Sequence, residues 1–384
     1  MKKYRVLIII IIISLILTGC WDYNDVNKRS ITLSVGVDNV HNSKGVEFSG
    51  EIARLGPSKG GKEEGGGQIG SASITSSFTF VSKGKDFEEA RANYNNEIPL
   101  NDFSGATRAV VFSKEYAKDP GIDSYINRVI NLFGFRSALL IAVSDIPTNE
   151  LFNTKIKNDI SIGHAIEDTL RHLSEEGNIV YKTIYETNSD ILLKDVGYLI
   201  PYIGIRDSSI SVLGYAVMSD YSKLIDIIKP NQVSTVNFLI SKNAVQRKAY
   251  KCPIHPTQDI SVKTSLKKRK IKTSTTNNSI NIDIVLDLKS EIQYPYHKQL
   301  HSKKDIEPLE KSIENRITED VLNIIKKSQE DFKIDCFDFA RYFRAQNPEV
   351  YKNISWKEEY PNINFTVKVK TKLINTNLLE IYKD

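Results

Sequence analysis

Residues 260–292 read ISVKTSLKKRKIKTSTTNNSINIDIVLDLKSEI, and this stretch decides the fold class. Two long segments of alternating polar and apolar residues flank a polar Thr-Asn-Asn turn, which is the pattern of an antiparallel hairpin. The longest predicted helix follows, from about Ile306 to about Asp331. Its apolar residues recur at helical spacing and would form one buried stripe, at Leu309, Ile313, Ile317, Val321, Ile324 and Ile325. A long hairpin beside an amphipathic helix favours an α+β domain.

The rest of the chain also groups its predicted strands into clusters, without the strict βα alternation of a doubly wound fold. We therefore predict an α+β protein of three mixed α/β domains, with largely antiparallel sheets flanked by helices. The predicted domains are residues 20–205, residues 206–258 and residues 259–384. A glycine-rich stretch at residues 56–73 is predicted to be a flexible loop, and it lacks the GxxxxGK[ST] pattern of a phosphate-binding loop.

The N-terminus has the pattern of a lipoprotein signal peptide. The positively charged residues Lys2, Lys3 and Arg5 precede twelve mostly apolar residues from Val6 to Leu17. This apolar segment is short for a bilayer-spanning helix, which needs roughly 20 residues. Leu17-Thr18-Gly19-Cys20 then places two small residues between an aliphatic residue and a cysteine. We predict cleavage after residue 19, with a diacylglycerol on the Cys20 sulfur and an acyl chain such as palmitate on its amine. The alternative is an uncleaved helical anchor.

Composition excludes little beyond nucleic-acid binding. The formal net charge is +5, and it falls to +2 without Lys2, Lys3 and Arg5, which is too slight a balance to indicate a nucleic-acid partner. No GxSxG, HExxH, CxxC or Walker pattern occurs. We predict no catalytic residues, and no metal or other cofactor.

The histidines and cysteines offer only weak metal candidates. His297 and His301 are four residues apart but lie among lysines and prolines, which favours a solvated surface. The next pair, His164 and His172, is predicted to lie on the surface of a helix or to be partly packed. A lone cysteine and histidine in KCPIHP, residues 251–256, provide too few ligands for zinc. Whether Cys252 and Cys336 form a disulfide stays open, because their spacing supports no pairing.

A basic run at residues 267–270, with Lys263 and Lys272 beside it, has two readings. It could contact anionic lipid headgroups, which contribute roughly 1 kcal/mol per basic residue near a membrane. It could equally be an exposed strand face whose lysines prevent edge-to-edge pairing.

Several segments spread along the chain resemble the Ger(x)C family, the lipoprotein subunits of bacterial spore germinant receptors. GCWDYNDVN followed by LSVGVD is similar to the start of that family, and GYAVMSDYSKLIDII resembles its strand-turn-strand segment, with Met218 in place of the usual Phe. Near the C-terminus, Gln329 and Asp335 match a Gln-then-Asp element, and Trp356 matches the closing Trp-to-strand segment. The residues that carry the N-terminal part are Cys20, Trp21, Asp22, Asp25, Val26, Asn27, Gly36, Val37 and Asp38. Two departures are Asn375-Thr376-Asn377, where the family has a glycine, and the glycine-rich insertion.

The resemblance implies a three-domain mixed α/β fold tethered to the outer face of the inner spore membrane. It also implies two integral-membrane partner subunits in a complex that responds to small nutrients. The leading hypothesis is therefore a lipid-anchored, non-enzymatic receptor subunit. The alternative is an extracytoplasmic solute-binding lipoprotein of a nutrient transporter, which would show two lobes of repeated βα units. A lipid-anchored cell-wall enzyme is a third class, and it would need buried titratable groups gathered in one cleft.

Overall fold

The computed structural model describes residues 28–40, 45–57, 72–132, 134–157, 160–253, 257–276, 279–295 and 303–374. The strands are β1 Arg29–Asn39, β2 Val46–Pro57, β3 Ala72–Gly84, β4 Asn101–Phe103, β5 Ala109–Ser113, β6 Leu140–Ser144, β7 Tyr198–Arg206, β8 Ser209–Met218, β9 Leu224–Ile228, β10 Val245–Lys251, β11 Asp259–Thr276, β12 Ser279–Pro295 and β13 Asn364–Ile374. The helices are α1 Phe87–Glu97, α2 Lys114–Lys118, α3 Asp123–Asn131, α4 Thr148–Asn153, α5 Ile162–Glu175, α6 Ile184–Ile191, α7 Pro230–Ile240, α8 Lys303–Lys327, α9 Phe339–Gln346, α10 Pro348–Tyr351 and α11 Trp356–Glu359. The predicted signal peptide, Cys20 and most of the glycine-rich stretch lie outside these residues.

The larger sheet has the order β3-β2-β1-β5-β6-β7-β8-β9, with β4 paired to β1. Its centre is parallel, from β1 through β5 and β6 to β7, and its two flanks are antiparallel. The central strands AVVFS and LIAVS are buried along their whole length. Continuous apolar strands of this kind fit the middle of a sheet that is covered on both faces.

The smaller sheet has the order β10-β11-β12-β13. The hairpin predicted from residues 260–292 is present as β11 and β12, which pair antiparallel, while β13 joins β12 in parallel. Helix α8 packs its predicted apolar stripe into the core, with each of the six stripe residues at most 2% exposed. It continues as a π-helical turn, Ser328–Phe332, and the chain then turns at Lys333, whose φ is 53°.

The predicted mixed α/β class is confirmed, and the parallel centre of the larger sheet adds a feature that the strand patterns alone did not reveal. The predicted boundary between residues 205 and 206 coincides with the β7–β8 hairpin, so strands on both sides of it belong to one sheet. One hydrophobic cluster also joins Tyr215 and Val217 of the larger sheet to Ile284 of the smaller one. The division into three domains stays a prediction.

Gly214 on β8 is a position where the fold requires a glycine. Its φ is +139°, and a Cβ built there would lie 1.9 Å from the Ile228 carbonyl oxygen on β9.

We expect Gly214→Ala to lower the free energy of unfolding by at least about 2 kcal/mol, because backbone strain and a clash add together. Urea unfolding measures the change. Gly134→Ala is the control, since its φ is +115° but no atom lies within 4 Å of its Cβ position. Equal losses for the two variants would contradict the clash.

Candidate functional site

The three residues that carry the C-terminal part of the family resemblance, Gln329, Asp335 and Trp356, meet at one place together with Tyr360, and we call these four residues the Asp335 junction. The local chain path creates it. After the π-helical turn, the backbone takes left-handed conformations at Lys333 and at Asp338, whose φ is 66°. These two reversals fold residues 333–338 into a tight loop, and they aim the first backbone N–H groups of α9 at the Asp335 carboxylate.

The Asp335 carboxylate is fully buried and accepts hydrogen bonds from four N–H groups. Oδ1 accepts from the backbone nitrogens of Phe337 at 3.0 Å and Phe339 at 3.3 Å. Oδ2 accepts from the backbone nitrogen of Ala340 at 2.6 Å and from Trp356 Nε1 at 3.1 Å. Burial raises the pKa of Asp335 to about 6 against the effect of these donors, so the group is ionised at neutral pH.

Aromatic rings surround the indole of Trp356, which is 1% exposed. Its ring centroid lies 5.3 Å from that of Phe343, 5.9 Å from that of Tyr351 and 6.3 Å from that of Tyr360. Gln329 Nε2 donates to the carbonyl oxygens of Tyr360 at 3.0 Å and Ile363 at 2.9 Å. The Gln side chain thereby holds the segment that leads into β13.

The junction also holds the smaller sheet's helices against the larger sheet. The backbone nitrogen of Gly197, just before β7, donates to the Asp335 carbonyl oxygen at 2.9 Å. Around it, ion pairs join the two parts of the chain: Arg341 to Asp190 at 2.7 Å, Lys357 to Asp220 at 2.6 Å and Lys327 to Asp226 at 3.0 Å. Asp190 is also bound by Lys182.

A second buried carboxylate, Asp38, explains the N-terminal part of the resemblance that falls within the described residues. Asp38 Oδ2 accepts from the backbone nitrogen of Thr148 at 2.6 Å and from its Oγ1 at 2.7 Å, at the start of α4. Burial raises the pKa of Asp38. A Cβ at Gly36 would lie 2.5 Å from Thr148, so a glycine there allows this approach.

A third cluster surrounds Glu167 on α5, and its only signal in the sequence is the i,i+4 spacing to Arg171. Arg108 and Arg171 pair with Glu167 at 2.9 Å and 2.8 Å, and Arg136 pairs with it as well. Burial opposes ionisation, but the three guanidinium groups outweigh it and hold the pKa of Glu167 below its usual range. Through Arg108 and Arg136, the cluster holds α5 against the segments that lead into β5 and β6.

Among the described residues, the two cysteines are buried and both histidines lie on α5. Burial raises the pKa of the Cys336 thiol well above its usual value, so it stays protonated, and Cys252 and Cys336 are both free. As predicted, His164 is half-buried and His172 is exposed on α5. Within the described ranges, no group of three or more His, Cys, Asp or Glu side chains could hold a metal ion. Nor is any helix among those residues long and apolar enough to cross a membrane.

The structure thus brings together Gln329, Asp335 and Trp356, and it places Gly36 and Asp38 at a separate contact. The Met218 carbonyl oxygen lies beside Gly197, where a Cβ would be only 2.6 Å from it. The remaining resemblance residues at the N-terminus, from Cys20 to Asn27, lie outside the described residues, as do His255, His297 and His301. The ion pair between Asp190 and Arg341 could not be predicted from the sequence, because the two residues lie far apart along the chain.

Comparisons with known proteins agree with the resemblance. The family model "Spore germination protein N-terminal domain" matches residues 22–205, and "Spore germination B3/GerAC like, C-terminal" matches residues 213–377. Spore germination protein KC of Bacillus subtilis (strain 168) is 20% identical, over 98% of this chain and 97% of its own. Spore germination protein B3 of the same organism is 20% identical, over 94% of this chain and 95% of its own.

The crystal structure of the GerBC protein has the same fold. The two structures superpose with a TM-score of 0.53 at 17% sequence identity, over 89% of this chain and 97% of that one. The two family models together cover nearly the whole chain, and they confirm the family predicted from the sequence.

Trp356→Phe should remove one donor to Asp335 while it keeps the aromatic packing. We expect a loss of about 1–3 kcal/mol in the free energy of unfolding, because a buried charged acceptor loses a partner. Asp335→Asn should lose about 3 kcal/mol or more, since its amide N–H atoms would face N–H donors. Urea unfolding followed by circular dichroism measures both, and the double variant gives the coupling energy. Asp338→Asn is the control, because this partly exposed side chain is paired with the exposed Arg341 rather than with the buried core. Additive losses would contradict a direct contact.

Glu167→Gln tests the arginine cluster through pH. A lowered pKa in the folded state stabilises the fold above the ordinary value of 4.5, and this contribution is lost as the pH falls through the lowered pKa. We expect Glu167→Gln to cost about 1–3 kcal/mol at pH 7, and the difference from the wild type to shrink below the ordinary pKa. Unfolding at a series of pH values checks this. Glu88→Gln, at a carboxylate 73% exposed beside Arg128, should cost much less.

Proposed function

The chain belongs to the GerAC-like family of spore germination proteins, and from this premise we propose that it is a lipid-anchored, non-enzymatic subunit of a spore germinant receptor. In this role it is needed for nutrient-triggered germination, and it acts through contacts with two integral-membrane subunits. The observation that carries the proposal is the extent of the match: the two family models follow one another over residues 22–205 and 213–377, which is nearly the whole chain.

The proposed anchor would keep the folded part close to the bilayer. The described chain begins at Lys28, eight residues after Cys20. An extended chain spans at most about 3.5 Å per residue, so β1 would start within about 30 Å of a lipidated Cys20. Two acyl chains on the sulfur contribute about 0.8 kcal/mol per buried methylene, which is enough for stable attachment where one chain is marginal. We place the protein on the outer face of the inner spore membrane.

The buried acids support a role in protein contacts rather than catalysis. Asp38 and Asp335 accept backbone and side-chain N–H or O–H groups, and Glu167 is paired with arginines. Glu51 accepts from the backbone nitrogens of Ile162 and Gly163 at the start of α5. Each of these carboxylates therefore fixes one segment of the chain against another. A rigid body of this kind is suited to holding partner subunits in place.

The solute-binding alternative receives no comparable support. The described strands form one large mixed sheet and one hairpin-based sheet, rather than two similar lobes. An aromatic-lined cavity beneath α1, which includes Phe48, Tyr94 and Tyr125, has a volume of about 50 Å³, which suits a few water molecules rather than a nutrient. The larger hollows among the described residues, such as one of about 760 Å³ lined by Leu193, Arg341 and Tyr351, are open surface grooves.

Affinity purification from detergent-solubilised spore membranes tests the proposal. We expect the wild type to recover two polytopic partners, and Cys20→Ala to recover much less of them and to move into the soluble fraction, because it lacks the lipid. Cys252→Ala is the matched control: it removes a thiol that is buried in the fold and forms no disulfide, so it should behave like the wild type. Mass spectrometry of the mature N-terminus reports lipidation directly.

Recovery of an ATP-driven permease, from vegetative membranes as readily as from spores, would overturn the receptor assignment. Retention of both partners and of membrane attachment by Cys20→Ala would overturn the anchor and leave the receptor assignment standing.

A further inference from the structure

One face of the smaller sheet carries a strong excess of positive charge. Helix α8 and its neighbours pack against the inner face, where Ile282, Ile284 and Leu286 are buried. On the opposite face, strand register aligns side chains in rows across β11, β12 and β13. One row is Lys268, Asp287 and Lys370; the next is Lys270, Val285 and Lys368; the next is Lys272, Asp283 and Thr366. We call this outer side of the sheet the basic face.

The charges on the basic face do not balance. Among the described residues its bases are Arg247, Lys251, Lys263, Lys268, Lys270, Lys272, Lys289, Lys368, Lys370 and Lys372, and its acids are Asp259, Asp283, Asp287 and Glu291. The formal sum is +6, more than the +5 of the whole chain. Lys251 and Lys289 are paired with Asp259 and Glu291. Within the described ranges, Lys268, Lys270, Lys272, Lys368, Lys370 and Lys372 form no ion pair.

The basic run seen in the sequence is divided by the fold. Arg269 points to the inner side, where Nη1 donates to the carbonyl oxygens of Phe238 at 3.1 Å and Ser241 at 2.6 Å and so caps the end of α7. Lys268 and Lys270 point outward on β11 beyond Ser265, where its pairing with β10 ends.

Lysines that block edge-to-edge pairing belong on open edges. The edge of β11 is occupied here by Gln346 of α9, which accepts from the Thr273 nitrogen at 2.9 Å and donates to the Ile271 carbonyl oxygen at 3.1 Å. On the edge of β13, Glu314 and Glu310 of α8 accept from the Thr371 and Leu373 nitrogens. Because side chains of α8 and α9 already cover these edges, edge protection alone does not account for the outward lysines.

The composition of the face favours a lipid surface over a macromolecule. Protein interfaces are depleted in lysine and enriched in aromatic residues and arginine, whereas this face has nine lysines and one arginine, at its β10 edge. The rows that contain Lys268, Lys270 and Lys272 carry no aromatic side chain for stacking on bases. Flexible lysine ammonium groups on a broad surface match the phosphates of a bilayer.

We propose that the basic face binds the anionic phospholipid headgroups of a bilayer and holds the smaller sheet against the membrane. The inference goes beyond the proposed function, because it requires neither lipidation of Cys20 nor membership of a receptor. Neighbouring strands lie about 4.8 Å apart, so Lys268, Lys270, Lys368 and Lys370 form a patch roughly 10 Å wide. Each basic residue near an anionic surface raises the binding constant about fivefold.

The test uses the full chain reconstituted into vesicles of phosphatidylcholine alone or of phosphatidylcholine with phosphatidylglycerol. Brief acetylation followed by mass spectrometry gives the reaction rate of each lysine. We expect lysines of the basic face to react several-fold more slowly on the anionic vesicles, and this protection to disappear at high salt. Exposed lysines elsewhere should react alike on both kinds of vesicle and serve as internal controls: Lys85, Lys155, Lys157 and Lys194.

Two matched variants separate the effect of the basic face from the effect of net charge. The quadruple variant K268Q/K270Q/K368Q/K370Q should lower the binding constant of the face by about 600-fold, since four fivefold factors multiply, so that Lys272 and Lys372 react at the neutral-vesicle rate. The control K85Q/K155Q/K157Q/K194Q loses the same charge and should keep the protection. Urea unfolding of both variants confirms that they fold. Equal rates on the two vesicles, or protection that survives the quadruple variant, would overturn the proposal. Protection by polyglutamate but not by anionic vesicles would assign the face to an acidic protein instead.

Discussion

The Asp335 carboxylate is the constraint on which the C-terminal half of the structure depends. It receives three backbone N–H groups and the Trp356 indole N–H in a site without solvent. A buried charge of this kind is tolerated only when its hydrogen bonds are complete, so the loop, the start of α9 and the indole can hardly move independently. The left-handed residues Lys333 and Asp338 are the strained positions that this arrangement holds in place.

The same junction joins the two sheets into one body. The Asp335 carbonyl oxygen accepts a hydrogen bond from the backbone nitrogen of Gly197, just before β7. Six residues further along the chain, Arg341 on α9 forms an ion pair with Asp190. Beneath these polar contacts, one hydrophobic cluster includes Tyr215 of the larger sheet and Trp356 of the C-terminal segment. The hydrophobic cluster and the polar contacts therefore join the same two parts of the chain, so residues far apart in sequence share one core.

The charges of the molecule divide by location into two roles. Buried carboxylates are bound within the chain and fix segments against each other, whereas a group of six lysines without ion pairs among the described residues lies outward on the smaller sheet. A membrane-bound receptor subunit would use both: a rigid body to hold its partners, and a basic surface to set its orientation on the bilayer. The proposed tether at Cys20 would limit the distance from the membrane, and the basic face would limit rotation about the tether.

The sequence alone determined the features that depend on local periodicity. The stripe from Leu309 to Ile325 predicted α8, alternation predicted the β11–β12 hairpin, and the segments around Asp38, Asp335 and Trp356 indicated the family. Tertiary structure decided what depends on distant pairing. The parallel centre of the larger sheet, the Asp190–Arg341 pair and the separation of Arg269 from its lysine neighbours have no local signal. Periodicity reports which side of an element is buried, whereas strand order and charge partners follow from how the elements pack.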